Sequence, residues 1–162
     1  MSKFLIEGGI PLQGEITVSG SKNAALPILA ACLLTDQPCT IKNVPDIEDV
    51  RVMVAISKSL GIDVKHIGNN IYFKPSSQSN SLIDADLSSK VRGSLLFLAP
   101  LLAIHGRVSI PGIGGDAIGL RNIDAHLEAF KSFSARITNN KIFLPKDKLM
   151  NKNTVTVWLN EA

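Results

Sequence analysis

Apolar and polar positions run through two successive rounds of one order: helix, strand, helix, hairpin. Ahead of the first round, residues 3–7 read as a short strand. Gly14-Glu15-Ile16-Thr17-Val18 alternates polar with apolar, the period of a half-buried strand over 15–19. A small, apolar run then predicts a helix over about 22–34, bent near Pro27, and a strand follows over 39–44. Pro45-Asp46 opens a second helix, with Asp46, Glu48 and Asp49 at its positive end. Val50, Met53, Val54 and Leu60 form its apolar stripe, and Gly61 ends it. Residues 62–67 and 71–74 flank Gly68-Asn69-Asn70 as a hairpin.

After a polar linker at 76–80 the order begins again. A helix is expected over about 88–103, a strand over 107–110, a Gly-rich loop, and a helix over about 122–133 with Ile123, Leu127, Phe130 and Phe133 on one face. A second hairpin pairs 135–138 with 141–144 around Asn139-Asn140, since Asn tolerates positive φ. Ile71-Tyr72-Phe73-Lys74-Pro75 is matched with Lys141-Ile142-Phe143-Leu144-Pro145, a period of about seventy residues. A third round starts at Asn153-Thr154-Val155. The expected divisions are N-terminal strands at 1–20, a first α/β unit at 21–76, a second at 77–147, and the start of a third at 148–162.

Composition narrows the class. Of 162 residues, 45% are hydrophobic and 19% charged, which requires a folded core. The net charge of +3 and a pI near 9.0 suit an anionic small molecule. Scattered basic residues, one Trp and one Tyr argue against nucleic acid. The apolar run at 95–104 is too short to span a bilayer, so a soluble, cytoplasmic protein is expected. Cys32 and Cys39 fit two buried thiols better than a disulfide, and no zinc spacing occurs.

Two stretches carry chemistry. The first, Ser19-Gly20-Ser21-Lys22-Asn23, is a strand-to-helix turn. Ser21 is placed to cap the helix, and Gly20 permits a sharp turn or a close approach to a ligand. Free N–H groups at the helix start, with Lys22 beside them, can hold a phosphate or carboxylate. The same turn also fits a solvated helix cap. The second is Pro111-Gly112-Ile113-Gly114-Gly115-Asp116-Ala117-Ile118-Gly119-Leu120-Arg121-Asn122-Ile123-Asp124-Ala125-His126. Its glycines predict a mobile loop; alone, Arg121 and Asp124 fit a helix-start salt bridge as well as a ligand site.

The string Ser-Gly-Ser-Lys-Asn-Ala-Ala-Leu-Pro-Ile-Leu-Ala-Ala resembles the start of the UDP-N-acetylglucosamine enolpyruvyl transferases. The second stretch resembles that family's Gly-Gly-[Cys/Asp]-x-Ile-Gly-x-Arg followed by Pro-Val-Asp-Leu-His. The resemblance implies an enolpyruvyl-transferase-like α/β domain of repeated helix-strand-helix-hairpin units, an inside-out α/β barrel that is truncated here. It implies transfer of enolpyruvyl from phosphoenolpyruvate to the 3′-hydroxyl of UDP-N-acetylglucosamine in peptidoglycan synthesis, with no metal or organic cofactor. Lys22 and Asn23 fall where the family meets phosphoenolpyruvate. Asp116 falls at the proton donor of a loop that closes over the substrates. Arg92, Arg121, Asn122, Ile123, Asp124 and Ala125 fall at UDP-sugar positions. His126 matches a family His, for which packing is expected, and His66 and His105 read as structural or exposed.

Most members carry Cys at the Asp116 position, the residue fosfomycin alkylates; a carboxylate is a poorer nucleophile, so insensitivity is expected. Asn122 stands where the family has Pro, Ala125 where it has a larger residue, and two extra residues precede Gly-Gly. The resemblance implies a second domain, with its general base, that these residues do not include, and an N-terminal strand that normally packs with that domain. A separate chain supplying that half is one expectation. A truncated, binding-only remnant is the alternative, and a shikimate-type enolpyruvyl transferase, with Lys-Ser at the turn, ranks lower.

Overall fold

The computed structural model describes residues 3–76, 79–109, 112, 114 and 122–145. Helix α1 (Lys22–Ala31) continues as a 3₁₀ turn, Cys32–Leu34, before strand β1 (Cys39–Ile41). Helix α2 (Glu48–Ser59) leads into β2 (Asp63–Ile67) and β3 (Asn70–Lys74). The second round contains α3 (Ala85–Ser88), a 3₁₀ helix (Arg92–Phe97), α4 (Leu98–His105) and β4 (Arg107–Ser109). It ends with α5 (Asp124–Ser132), β5 (Arg136–Thr138) and β6 (Lys141–Phe143). Each round makes a three-stranded antiparallel sheet of the same order, β1-β3-β2 and β4-β6-β5.

Local chemistry explains the shared ends. Helix α2 stops in a left-handed Gly61 (φ 88°), with Gly61 N–H bonded to Lys58 O at 2.9 Å and Ile62 N–H to Ser57 O at 3.1 Å. Helix α5 repeats that closure: Ser134 (φ 68°) donates to Lys131 O at 2.7 Å and Ala135 to Phe130 O at 3.0 Å. The second hairpin turns on Asn139 (φ 48°) and Asn140 (φ 57°), the backbone a two-residue turn demands.

A single cluster of buried side chains joins the rounds. Leu26 and Leu29 of α1, Met53 and Ile56 of α2, and Ile71 and Phe73 of β3 meet Phe97, Leu98, Leu101 and Leu102, then Val108, Ile142 and Leu144. Helix α4 is apolar almost throughout because it runs through this cluster. Among the described residues, no helix is long and apolar enough to cross a membrane.

Four expectations change. Residues 3–7 and 15–19 form no strand; Phe4, Leu5, Ile6, Ile10, Leu12, Ile16 and Val18 are all 75% or more exposed. A strand is stable only with a neighbour to complete its hydrogen bonds, and none lies beside this segment among the described residues. The helix expected over 88–103 is broken into α3, the 3₁₀ helix and α4, with Val91 extended (φ −143°, ψ 130°) at the break. Ser21 stands at the N-cap of α1, but its side chain makes no capping bond. The hairpin match is one residue out. Ile142 and Leu144 are buried as Ile71 and Phe73 are, whereas Phe143 faces outward with Tyr72. The turns agree, since Ile67 pairs with Asn70 and Thr138 with Lys141. A one-residue slip exchanges the two faces of a strand, so burial decides the register. Ile110, most of the Gly-rich loop and the third round lie outside the described residues.

Candidate functional site

The turn before α1 is held against the turn after β1. A Cβ on Gly20 would lie 1.7 Å from the carbonyl oxygen of Asn43, itself left-handed at φ 55°. Glycine is therefore required by backbone packing, and the close approach read from the sequence is to Asn43. This contact brings the start of α1 beside the start of α2. There Lys22 Nζ forms an ion pair with the Asp49 carboxylate, both side chains being partly exposed.

The first backbone bond of α1 runs from Ala25 N–H to Ser21 O, at 3.0 Å. The N–H groups of Lys22, Asn23 and Ala24 consequently have no acceptor within the helix. Pro27 has no N–H, so the Asn23 carbonyl cannot receive its usual bond from four residues on. Donors and a cation are thus collected at one exposed helix end, where the macrodipole also favours an anion. Asp49 neutralises part of that charge and holds Lys22 in place. Its role was not legible in the sequence, where it reads only as an acid in the first turn of a helix.

Arg92 opens the 3₁₀ helix, which packs onto α1 and α2. A Cβ on the adjacent Gly93 would stand 3.1 Å from Leu26 Cδ1, one turn beyond Lys22, and 3.4 Å from Met53 Sδ. Arg92 Nη2 donates to the Asn122 carbonyl oxygen at 3.1 Å. Two of the expected sugar-site residues are thereby brought together, beside the elements that carry Lys22. Ile123 sits half-buried at the N-cap of α5, and Asp124 and Ala125 are exposed in its first turn. Asp116 and Arg121 lie outside the described residues.

The near end of the Gly-rich loop rests on α3. Ser88, fully buried, has its hydroxyl 2.8 Å from the Gly112 carbonyl oxygen, and Gly114 N–H donates to Ser88 O at 3.1 Å. Nothing in the sequence marks Ser88, because the contact spans 24 positions.

Other groups surround these elements. Arg51 grips Asp46 with two bonds of 2.9 and 2.8 Å, which holds the Asp46 carboxyl below its ordinary value. Cys32 and Cys39 are both free thiols. Burial pushes Cys32 up to about 12, and the neighbouring Cys39 adds to the shift, so Cys32 is protonated and unreactive near neutral pH. His126 is exposed and borders an apolar groove of about 380 Å³ between α4 and α5. His105 lies 3.5 Å from the Ser79 hydroxyl, and the buried Nε2 of His66 has no hydrogen-bond partner among the described residues. No cluster of three or more His, Cys, Asp or Glu that could hold a metal occurs among the described residues.

Known proteins resemble this chain in sequence and in fold. The family described as EPSP synthase (3-phosphoshikimate 1-carboxyvinyltransferase) matches residues 6–156. The UDP-N-acetylglucosamine 1-carboxyvinyltransferase of Acinetobacter guillouiae is 44% identical over 137 residues, covering 85% of this chain and 33% of its own. The enzymes of that name from Treponema denticola and Treponema pallidum are 40% and 42% identical over 164 residues, covering all of this chain and 38% of theirs. The chain thus spans between 33% and 38% of the length of these relatives. In fold it is similar to the enolpyruvyl transferase NikO from Streptomyces tendae, with a TM-score of 0.69 at 22% identity, over 83% of this chain and 30% of that one. The match over nearly the whole chain, with relatives of one name, shows that the chain belongs to the EPSP synthase family of carboxyvinyltransferases.

Proposed function

We propose that this chain is part of an enzyme that transfers enolpyruvyl from phosphoenolpyruvate to the 3′-hydroxyl of UDP-N-acetylglucosamine, in peptidoglycan synthesis. Lys22, Asn23 and the free N–H groups of α1 receive the phosphate or carboxylate of phosphoenolpyruvate. Arg92, Arg121 and residues 122–125 receive the UDP-sugar. The single observation that carries this reading is the bond from Arg92 to Asn122, which brings two of the expected sugar-site residues together beside the elements that carry Lys22. The names of the relatives support the choice of nucleotide sugar over a shikimate phosphate.

The chemistry is addition followed by elimination. The sugar hydroxyl adds to C2 of the enol while C3 takes a proton, and phosphate then leaves as C3 gives a proton back. Asp116 is the proposed donor to C3. A carboxyl with an ordinary pKa of about 3.9 is ionised at neutral pH, so it donates only when raised by desolvation or by a nearby phosphate dianion. Lys22 offsets the charge of the departing phosphate. The remaining length of the relatives supplies the general base and further cations, and residues 21–76 and 77–147 are two of the repeated units of the complete domain.

A thermal melt with and without millimolar UDP-N-acetylglucosamine tests the sugar site. Saturation at a hundred times the dissociation constant stabilises by about 2.7 kcal/mol, a rise on the order of 5–10 °C for a chain of this size. Asp124→Ala should lose that rise. A melt unmoved by the nucleotide sugar but raised by shikimate 3-phosphate would replace this reading with the shikimate-type one. In the full protein, Asp116→Asn should abolish turnover, and retained turnover would remove Asp116 from the mechanism.

A further inference from the structure

The structure ties the near end of the Gly-rich stretch down at one place. Gly112 and Gly114, on either side of Ile113, are both bonded to one residue, Ser88. The Ser88 hydroxyl shares its proton between the carbonyl oxygens of Gly112 (2.8 Å) and Ala85 (3.0 Å). Bonding back to Ala85 is ordinary for a serine in a helix's last turn; reaching out to Gly112 is not explained by helix chemistry. The Ser88 carbonyl accepts from Gly114 N–H at 3.1 Å and from the buried Ser94 hydroxyl at 3.3 Å. Ser88 itself is held by α3, whose cap Asp84 accepts from Leu87 N–H at 2.9 Å.

Packing reinforces the bonds. A Cβ on Gly114 would fall 1.5 Å from the Ser89 carbonyl oxygen, so backbone lies directly on backbone and no other residue fits without displacing it. The far foot of the same stretch is Asn122, held by Arg92. Ser88 and Arg92 are four positions apart in one segment, with Val91 buried between them. Gly114 and Asn122 are therefore both held by residues of one packed segment.

Resting on the function proposed above, we propose that Ser88, with Gly114 as its partner, is a positioning residue: it fixes the backbone at Gly112 and at Gly114, the latter two positions before the proposed proton donor. Ser88 touches no substrate; it acts through the backbone of Gly112 and Gly114.

Amide hydrogen exchange of the unliganded chain reads the anchor directly. Ser88→Ala should speed exchange at Gly114 at least tenfold while Leu101 and Ile142 exchange as in the wild type. Unchanged exchange at Gly114, or equal acceleration throughout the core, overturns the anchor. Should Ser88→Ala not fold, Gly114→Ala disturbs the same anchor through a different contact, its Cβ meeting the Ser89 carbonyl, and is read by exchange at position 114 in the same way. Turnover of phosphoenolpyruvate and UDP-N-acetylglucosamine by the full protein reads the positioning. Ser88→Ala should lower kcat about tenfold and leave KM for the nucleotide sugar within twofold. An unchanged kcat, or a loss carried by KM, overturns it. A wild-type protein that does not turn over these substrates sinks the proposed reaction instead, and exchange alone then decides the anchor.

Discussion

Helix α2 buries six of its twelve residues, and α5 buries none of its nine, although both are amphipathic, both close with the same cap and both feed a hairpin of the same topology. The difference lies in the neighbours. Helix α2 is enclosed by α1, α3, the 3₁₀ helix and β2. Helix α5 leans chiefly on its own strand β5, and Leu127 and Phe130 are only half covered. Phe130 and Phe133 instead line one wall of the groove opposite α4. An apolar stripe thus states that a helix has a face to bury; the surrounding elements decide how much of it is buried.

The largest effect expected from this comparison is on core truncation. Met53→Ala should cost about 2–5 kcal/mol, the usual cost of emptying a fully buried site. Phe130→Ala should cost less, about 1–2 kcal/mol, since its ring is only partly buried. Urea denaturation of both variants checks this, and equal losses would dissolve the contrast. Next, Ile71→Val and Ile142→Val should each cost about 0.5–1.5 kcal/mol, as equivalent inward positions. Tyr72→Thr and Phe143→Thr, outward on the same strands, should stay within about 0.5 kcal/mol. A costly Phe143→Thr beside a harmless Ile142→Val would restore the register read from the prolines.

Helix closure gives a smaller test. Gly61→Ala should destabilise by about 1 kcal/mol, because a Cβ disfavours the left-handed backbone there. Ser134→Gly should stabilise by at most about 1 kcal/mol, because Ser134 already bears that strain. The smallest effect belongs to Asp46 and Arg51, an exposed pair in the first round. Its lowered carboxyl adds stability at neutral pH that disappears as the pH falls through its folded-state value. Melts of wild type and Asp46→Asn should therefore differ slightly at pH 7 and converge below the ordinary value of 3.8.

Features set by neighbouring residues were legible in the sequence. Gly61 ended a helix, Asn139-Asn140 turned a hairpin, and the stripe of α2 was found by period alone. Features set by distant residues were not. The facing of β6 depends on what lies beneath it, and matching Pro75 with Pro145 placed it one residue out. The break at Val91 depends on Gly93 fitting against Leu26 and Met53. At the site, Lys22 and Asn122 belong to the two motif stretches and Arg92 only to the family resemblance; the structure brings Arg92 to Asn122. Asp49 and Ser88 act across the fold through an ion pair and a backbone contact that no local pattern records.

The uncovered segment at 3–19 has a consequence for the chain as a substance in solution. Phe4, Leu5, Ile6, Ile10, Leu12, Ile16 and Val18 leave this unpaired backbone with exposed apolar side chains. Such a segment is a template for joining copies edge to edge. Concentrated solutions of these residues as they stand will scatter light progressively, and dilution, charge introduced at Ile6 or Ile16, or a complementary strand added in trans will keep them clear.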